Sequence, residues 1–133
     1  CWYSCMLVSK QMAAAGGGSI TMIGSIAPEV PATDREPPYA MSKAAVRALV
    51  GGIATAGGPL NIRCNEVIMG LVTGTRFTDT QPEKANNFVQ GVPLGRNATT
   101  DDIAEAVAFL ASDRASFVTG DVMNVTGGAM FRL

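Results

Sequence analysis

Tyr39 and Lys43 stand four positions apart, with the hydroxyl of Ser25 upstream of them. On a helix that spacing puts a phenol and an ammonium on one face, about one turn from each other. A phenol is a poor acid near neutrality, and a nearby cation favours its phenolate and draws its pKa toward the working range. Such a pair suits carbonyl reduction: Tyr39 donates a proton to the oxygen as hydride reaches the carbon, and Ser25 gives a hydrogen bond to the developing oxyanion. The spacing by itself is common and also describes a solvated helix face. A Gly-Ser pair after a strand is, equally, an ordinary turn.

Composition removes the main competitors. The chain has no histidine, which excludes Ser-His-Asp and Cys-His mechanisms and the hydrolases built on them. Its three cysteines, Cys1, Cys5 and Cys64, lack the further soft or imidazole ligands that a metal site needs, so no metal is expected. An odd number of cysteines without a secretory pattern implies reduced thiols and a cytoplasmic setting. At 133 residues, 47% hydrophobic and 16% charged, the chain is expected to fold as one domain with a sizeable core. Gly, Pro and charges interrupt the apolar content every few residues, so no membrane span is expected. A formal net charge of -1 with scattered basic residues gives no footprint for nucleic acid.

The elements that must position these side chains alternate along the sequence. An amphipathic helix over roughly 2–15 carries Trp2, Met6, Leu7 and Met12 as its apolar positions. It has neither a basic leader nor an initiator Met, and reads as a helix beginning before residue 1, so the chain looks truncated at its N-terminus. The breaker Gly16-Gly17-Gly18 precedes a strand over Ser19–Ile23. A loop from Gly24 to Pro38 holds four of the seven prolines. The helix from Tyr39 to about Ala56 follows, with Ala44, Val46, Leu49, Val50 and Ile53 along it and Gly57-Gly58-Pro59 ending it. A strand over Leu60–Ile68 leads into a long polar stretch, read as loop with one short helix. Thr99 or Thr100 caps a helix bearing Ile103, Val107 and Leu110 on one face, and Asp121–Val125 is the last strand. Helix and strand alternate as in a parallel sheet with crossover helices, an α/β fold. Ser25 then lies at the C-terminal end of a strand, where open parallel sheets place their ligand sites.

Gly24-Ser25, then Tyr39-Ala40-Met41-Ser42-Lys43-Ala44-Ala45, then Asn61-Ile62-Arg63-Cys64-Asn65 resemble, in order and spacing, successive signatures of the short-chain dehydrogenases/reductases. So do Pro93-Leu94-Gly95-Arg96, Asp102-Ile103-Ala104, Phe109-Leu110-Ala111-Ser112, Val118-Thr119-Gly120 and Gly127-Gly128 near the end. The resemblance covers essentially the whole chain, 1–133, and is to the family's C-terminal, catalytic half, as in 3-oxoacyl-acyl-carrier-protein reductase-like members. It implies the C-terminal part of a Rossmann-like doubly wound parallel sheet, three strands with crossover helices, the N-terminal half missing.

It further implies an oxidoreductase interconverting a small-molecule alcohol and carbonyl with NAD or NADP. Ser25 matches the family's catalytic serine, Tyr39 its acid or base, and Lys43 the lysine that also holds the nicotinamide ribose. Met69-Gly70-Leu71-Val72-Thr73 matches the segment along the nicotinamide, making Gly70, Val72, Thr73 and Thr75 the candidate cofactor contacts. The family usually has Pro where Met69 stands, and Gly74 intrudes, so either Thr73 or Thr75 is the carboxamide contact. The alternative reading of both threonines is a cap on the loop. Ala44, Ala45, Ala48 and Gly51-Gly52 are small enough for close helix approach, as in the family's homodimers and homotetramers, or for plain core packing. The family's glycine-rich phosphate turn and its catalytic asparagine have no counterpart here, and Gly16-Gly17-Gly18 precedes a strand instead of following one. The expectation is that this chain alone neither binds the cofactor nor turns over, which low-micromolar binding in calorimetry would contradict. The alternative is a truncated or non-catalytic fragment without activity of its own. Substrate and the choice between NAD and NADP are not legible.

Overall fold

The computed structural model describes residues 1–29 and 37–130. Its elements are α1 (Trp2–Ala14), β1 (Gly18–Ile23), α2 (Pro37–Gly57), β2 (Ile62–Met69), α3 (Arg76–Thr80), α4 (Pro82–Val89), α5 (Thr100–Ala111) and β3 (Val122–Val125). Short 3-10 turns cover Gly58–Leu60 and Asp113–Ala115. The strands form one parallel sheet in the order β1-β2-β3, with Gly18 opposite Ile62 and Glu66 opposite Val122. The fold is therefore α/β with three parallel strands and crossover helices, as the sequence implies. Most of the proline-rich loop, 30–36, lies outside the described residues.

β2 is central, and its sequence shows why: Ile62 and Cys64 through Ile68 are all buried, the pattern of a strand covered on both faces. One core lies under α1 and α2, where Cys5, Met22, Val50, Ile53, Ala54 and Cys64 pack together. The other lies under α5, built on Val67, Leu110 and Ala115 with Ile103, Val107, Val118 and Met123 around them. Polar groups on β2 are spent on fixing these layers. Asn65 donates from Nδ2 to Val118 O and accepts from Asp121 N, while Arg63 donates to Leu110 O and Ser112 O at the end of α5. At the other end of the sheet Asn61 adopts a left-handed φ of 58° and leaves no room for a Cβ at Gly17, which itself has φ 139°. That close approach explains the glycine breaker.

Three expectations need correction. α1 forms, but Trp2, Met6 and Leu7 point outward; the face turned to the sheet is Cys5, Ser9, Met12 and Ala13, spaced as one helical stripe. The stretch after β2 holds two short helices, not one, because Thr75 caps α3 and Pro82 starts α4 at its first turn. The small residues of α2, Ala44, Ala45, Ala48, Gly51 and Gly52, are exposed and do not pack in the core.

Candidate active site

The turn carrying Ser25 is a continuation of the β1–β2 pairing. Gly24 N donates to Val67 O and Ile26 N to Met69 O, so Ser25 is held between them against the end of β2. Ser25 is 8% exposed, and its Oγ accepts the Ala27 N–H at 3.1 Å, a bond that leaves the hydroxyl proton as a donor. Tyr39 occupies the first full turn of α2 and is 48% exposed. Lys43 follows one turn later. Its Nζ lies 5.8 Å from the centre of the Tyr39 ring and donates to Ile23 O at 3.0 Å. The carbonyl it reaches belongs to the last residue of β1, two positions before Ser25. The structure thus brings phenol and ammonium together and ties the ammonium to the strand end from which the Ser25 turn departs. The lysine's remaining hydrogens keep their donor capacity.

The second group of candidates extends from the end of β2. Gly70 follows Met69 immediately, and a Cβ there would come within 2.8 Å of the Phe88 ring from α4, so this glycine makes room. Val72 is buried, and the backbone beside it bridges to Ala98. Thr73 is exposed; its N–H and Oγ1 both donate to Ala98 O, at 2.8 and 3.1 Å. Thr75 caps α3: its Oγ1 donates to Val72 O at 2.9 Å and it exchanges hydrogen bonds with Thr78. Both threonine hydroxyls are thus bonded to backbone carbonyls; Thr75 is the more covered of the two and Thr73 the more exposed. Among the described residues no cluster of His, Cys, Asp and Glu is arranged to hold a metal.

Sequence reasoning passed over Glu66 and Arg47. Glu66 is fully buried on β2, and its Oε2 accepts from Arg47 Nε at 3.1 Å, beneath the helix that carries Tyr39 and Lys43. Nothing local marks Glu66 out, because the same strand also carries Arg63 and Asn65. Of the thiols, Cys5 and Cys64 are buried and Cys1 is exposed. Burial, with Cys5 nearby, pushes the Cys64 thiol up to about 11, so it is an inert core residue at neutral pH.

Comparison with known proteins places this geometry. The family model described as enoyl-(acyl carrier protein) reductase matches residues 1–130. A 7alpha-hydroxysteroid dehydrogenase of Clostridium sardiniense is 42% identical over 85% of the chain, which covers 43% of that relative. The chain spans about half the length of the curated relatives it matches. A 3-oxoacyl-[acyl-carrier protein] reductase of Brucella melitensis superposes with a TM-score of 0.91 at 26% identity, over 98% of this chain and 49% of its own. A gluconate 5-dehydrogenase of Burkholderia cenocepacia, solved with NADP and tartrate, superposes with a TM-score of 0.86 at 30% identity, over 94% and 49%. With the family model matching residues 1–130 and the chain superposed on solved members, the chain belongs to the short-chain dehydrogenase/reductase family.

Proposed function

We propose that the chain contributes the proton-transfer half of an NAD(P)-dependent oxidoreductase that interconverts a small-molecule alcohol and its carbonyl. The observation that carries this reading is Lys43 Nζ, which lies over the Tyr39 ring while gripping Ile23 O at the root of the Ser25 turn. Tyr39 gives its proton to the carbonyl oxygen in reduction and takes it from the alcohol in oxidation. Lys43 presents a fixed positive charge to the phenol, and Ser25 donates its hydroxyl proton to the reacting oxygen. An ammonium, a phenol and a threonine hydroxyl form a hydrogen-bonding set that fits the ribose hydroxyls and carboxamide of the nicotinamide riboside end of such a cofactor. Lys43 is assigned to the ribose hydroxyls and Thr73, ahead of Thr75, to the carboxamide, with Gly70 and Val72 as the backbone beside them. The cofactor, when bound, supplies or accepts the hydride.

Turnover is tested on the full-length protein that carries these residues, since the chain by itself is expected to be inactive, by following nicotinamide absorbance across a panel of carbonyls and alcohols. Tyr39→Phe is expected to lower kcat about 10²- to 10⁴-fold, the span typical of a lost general acid. Wild-type turnover in that variant overturns the reading. We further propose that the outward apolar residues of α1 and the small-residue face of α2 join two subunits, since Trp2, Tyr3 and Leu7 on α1 and Met41 on α2 are otherwise left in water.

A further inference from the structure

Among the described residues Glu66 is the only charged side chain that is buried, and it occupies the middle of the central strand. Its partner Arg47 stands on α2 one turn beyond Lys43, so Tyr39, Lys43 and Arg47 follow one another at four-residue intervals on the face turned to the strand ends. Arg47 Nε donates to Glu66 Oε2 at 3.1 Å, and its Nη1 pairs with Glu29, in the turn that follows Ser25. The triad therefore spans the elements that carry the site: β2, the Tyr39–Lys43 helix and the Ser25 turn. Gly24, next to Ser25, is shaped to it. It has no positive φ that would call for glycine, but a Cβ there would overlap Glu66 Oε1 and stand 2.7 Å from Glu66 Cδ. The Oε1 atom accepts no hydrogen bond, so the carboxylate is held through Oε2 and by shape. For stability alone, an apolar pair of the same volume serves as well as a buried ion pair. What the ion pair adds is direction, because the guanidinium fork fixes the angle at which the helix meets the strand.

We propose that Glu66 and Arg47 are positioning residues: the Glu66–Arg47–Glu29 triad sets the rotation and register of the Tyr39–Lys43 helix over the Ser25 turn, and residue 24 is glycine because the Glu66 carboxylate fills its Cβ space. This rests on the assignment of Tyr39 and Lys43 as the reacting pair.

The test uses the full-length protein that carries these residues, labelled with 13Cζ-tyrosine, the Tyr39 resonance being the one lost in Tyr39→Phe and Tyr3 serving as control. Glu66→Gln and Arg47→Met are each expected to displace the Tyr39 resonance at fixed pH, leave Tyr3 in place, and lower kcat about 10- to 100-fold with cofactor KM within about twofold, as a small misplacement of a reacting group does. Arg47→Lys, which keeps a cation, recovers part of both. Gly24→Ala changes no charge; it is expected to displace the same resonance by pushing the carboxylate aside and to lower the melting temperature. Adding Glu66→Ala to it restores the melting temperature but not the resonance. If these variants lower the melting temperature while the Tyr39 resonance and the kcat of folded protein stay at wild-type values, the triad is merely structural and the proposal falls. Should Glu66→Gln fail to fold, Arg47→Lys and Gly24→Ala still decide it. Unchanged turnover in Tyr39→Phe would instead overturn the assignment of the reacting pair, and the Tyr39 resonance would still report whether the triad orients the helix.

Discussion

Tyr39 is half exposed, Lys43 reaches back to Ile23 O, and Ser25 is nearly covered, so the three groups meet solvent very differently. That asymmetry suits a site entered from the Tyr39 side, where a ligand covers the phenol and the serine waits at the floor. Lys43→Met is expected to reduce turnover by more than Ser25→Ala does, because it removes both the charge beside the phenol and the tie to β1; kcat measured at saturating cofactor compares the two. The thiols give a prediction independent of turnover. With Cys64 pushed up to about 11 and, like Cys5, buried, a disulfide reagent at pH 8 should titrate Cys1 alone in the folded chain and all three thiols after denaturation. Rapid reaction of Cys64 in the folded chain would contradict the packing of the core beneath α1 and α2. At this scale the sequence was informative about identity: the types and order of Ser25, Tyr39 and Lys43 are what the proposed chemistry rests on. It was silent about Glu66, whose role depends on an arginine nineteen positions away in the chain.

Among the elements, α5 has the best-defined start. Thr99 Oγ1 accepts from Asp102 N at 3.2 Å, Asp102 Oδ2 accepts from Thr99 N at 2.7 Å, and Arg96 grips the same carboxylate with two nitrogens. Arg96, and then the Thr99 bonds, hold the Asp102 carboxyl well below the usual carboxylate range. A carboxyl whose folded pKa is depressed contributes stability that is fully present above its unfolded value, near 4, and is lost as pH falls below that toward the folded value. Asp102→Asn should accordingly lower stability at neutrality, where the carboxylate's contribution is fully present, and flatten the acid limb of a thermal-stability profile below about pH 4, so that the two proteins converge as pH falls. Thr99→Ala removes the cap at every pH, and about 1 kcal/mol of stability is expected to go with it in urea denaturation. The cap was legible because capping is local: a hydroxyl, an acid three residues on and an apolar stripe all lie within one turn. The helices after β2 were not, since α3 and α4 are short and polar, and the face that α4 buries, Ala85, Phe88 and Val89, spans little more than one turn.

For the whole molecule the informative surface is the one formed by α1, α2 and the outer edge of β1. β1 has a neighbour on one side only among the described residues, and Ile23 at its end is exposed. Exposed sheet edges and apolar helix faces are both invitations to association. Subunit pairing through α1 and α2 predicts that Leu7→Lys or Gly51→Arg shifts the full chain toward monomer in sedimentation velocity while its circular dichroism is unchanged. Retention of the wild-type mass in both variants would locate the interface elsewhere. Among the described residues no helix is long and apolar enough to cross a membrane.

The sequence by itself determined the layer order, the parallel sheet and the family, and it supplied the pair proposed to react, because period, caps, breakers and ordered short motifs are all encoded at short range. It also placed α1 correctly while misjudging its facing, since Trp2, Met6 and Leu7 are as apolar as Cys5 and Met12 and only the position of β1 and α2 selects which stripe is covered. Tertiary structure alone decided that α2 bares its small residues, that Thr75 is a cap while Thr73 is open, and that Gly24 and Glu66 are complementary. Those facts arise where segments distant in the chain meet, and steric fit across such a junction leaves no periodic trace in either segment.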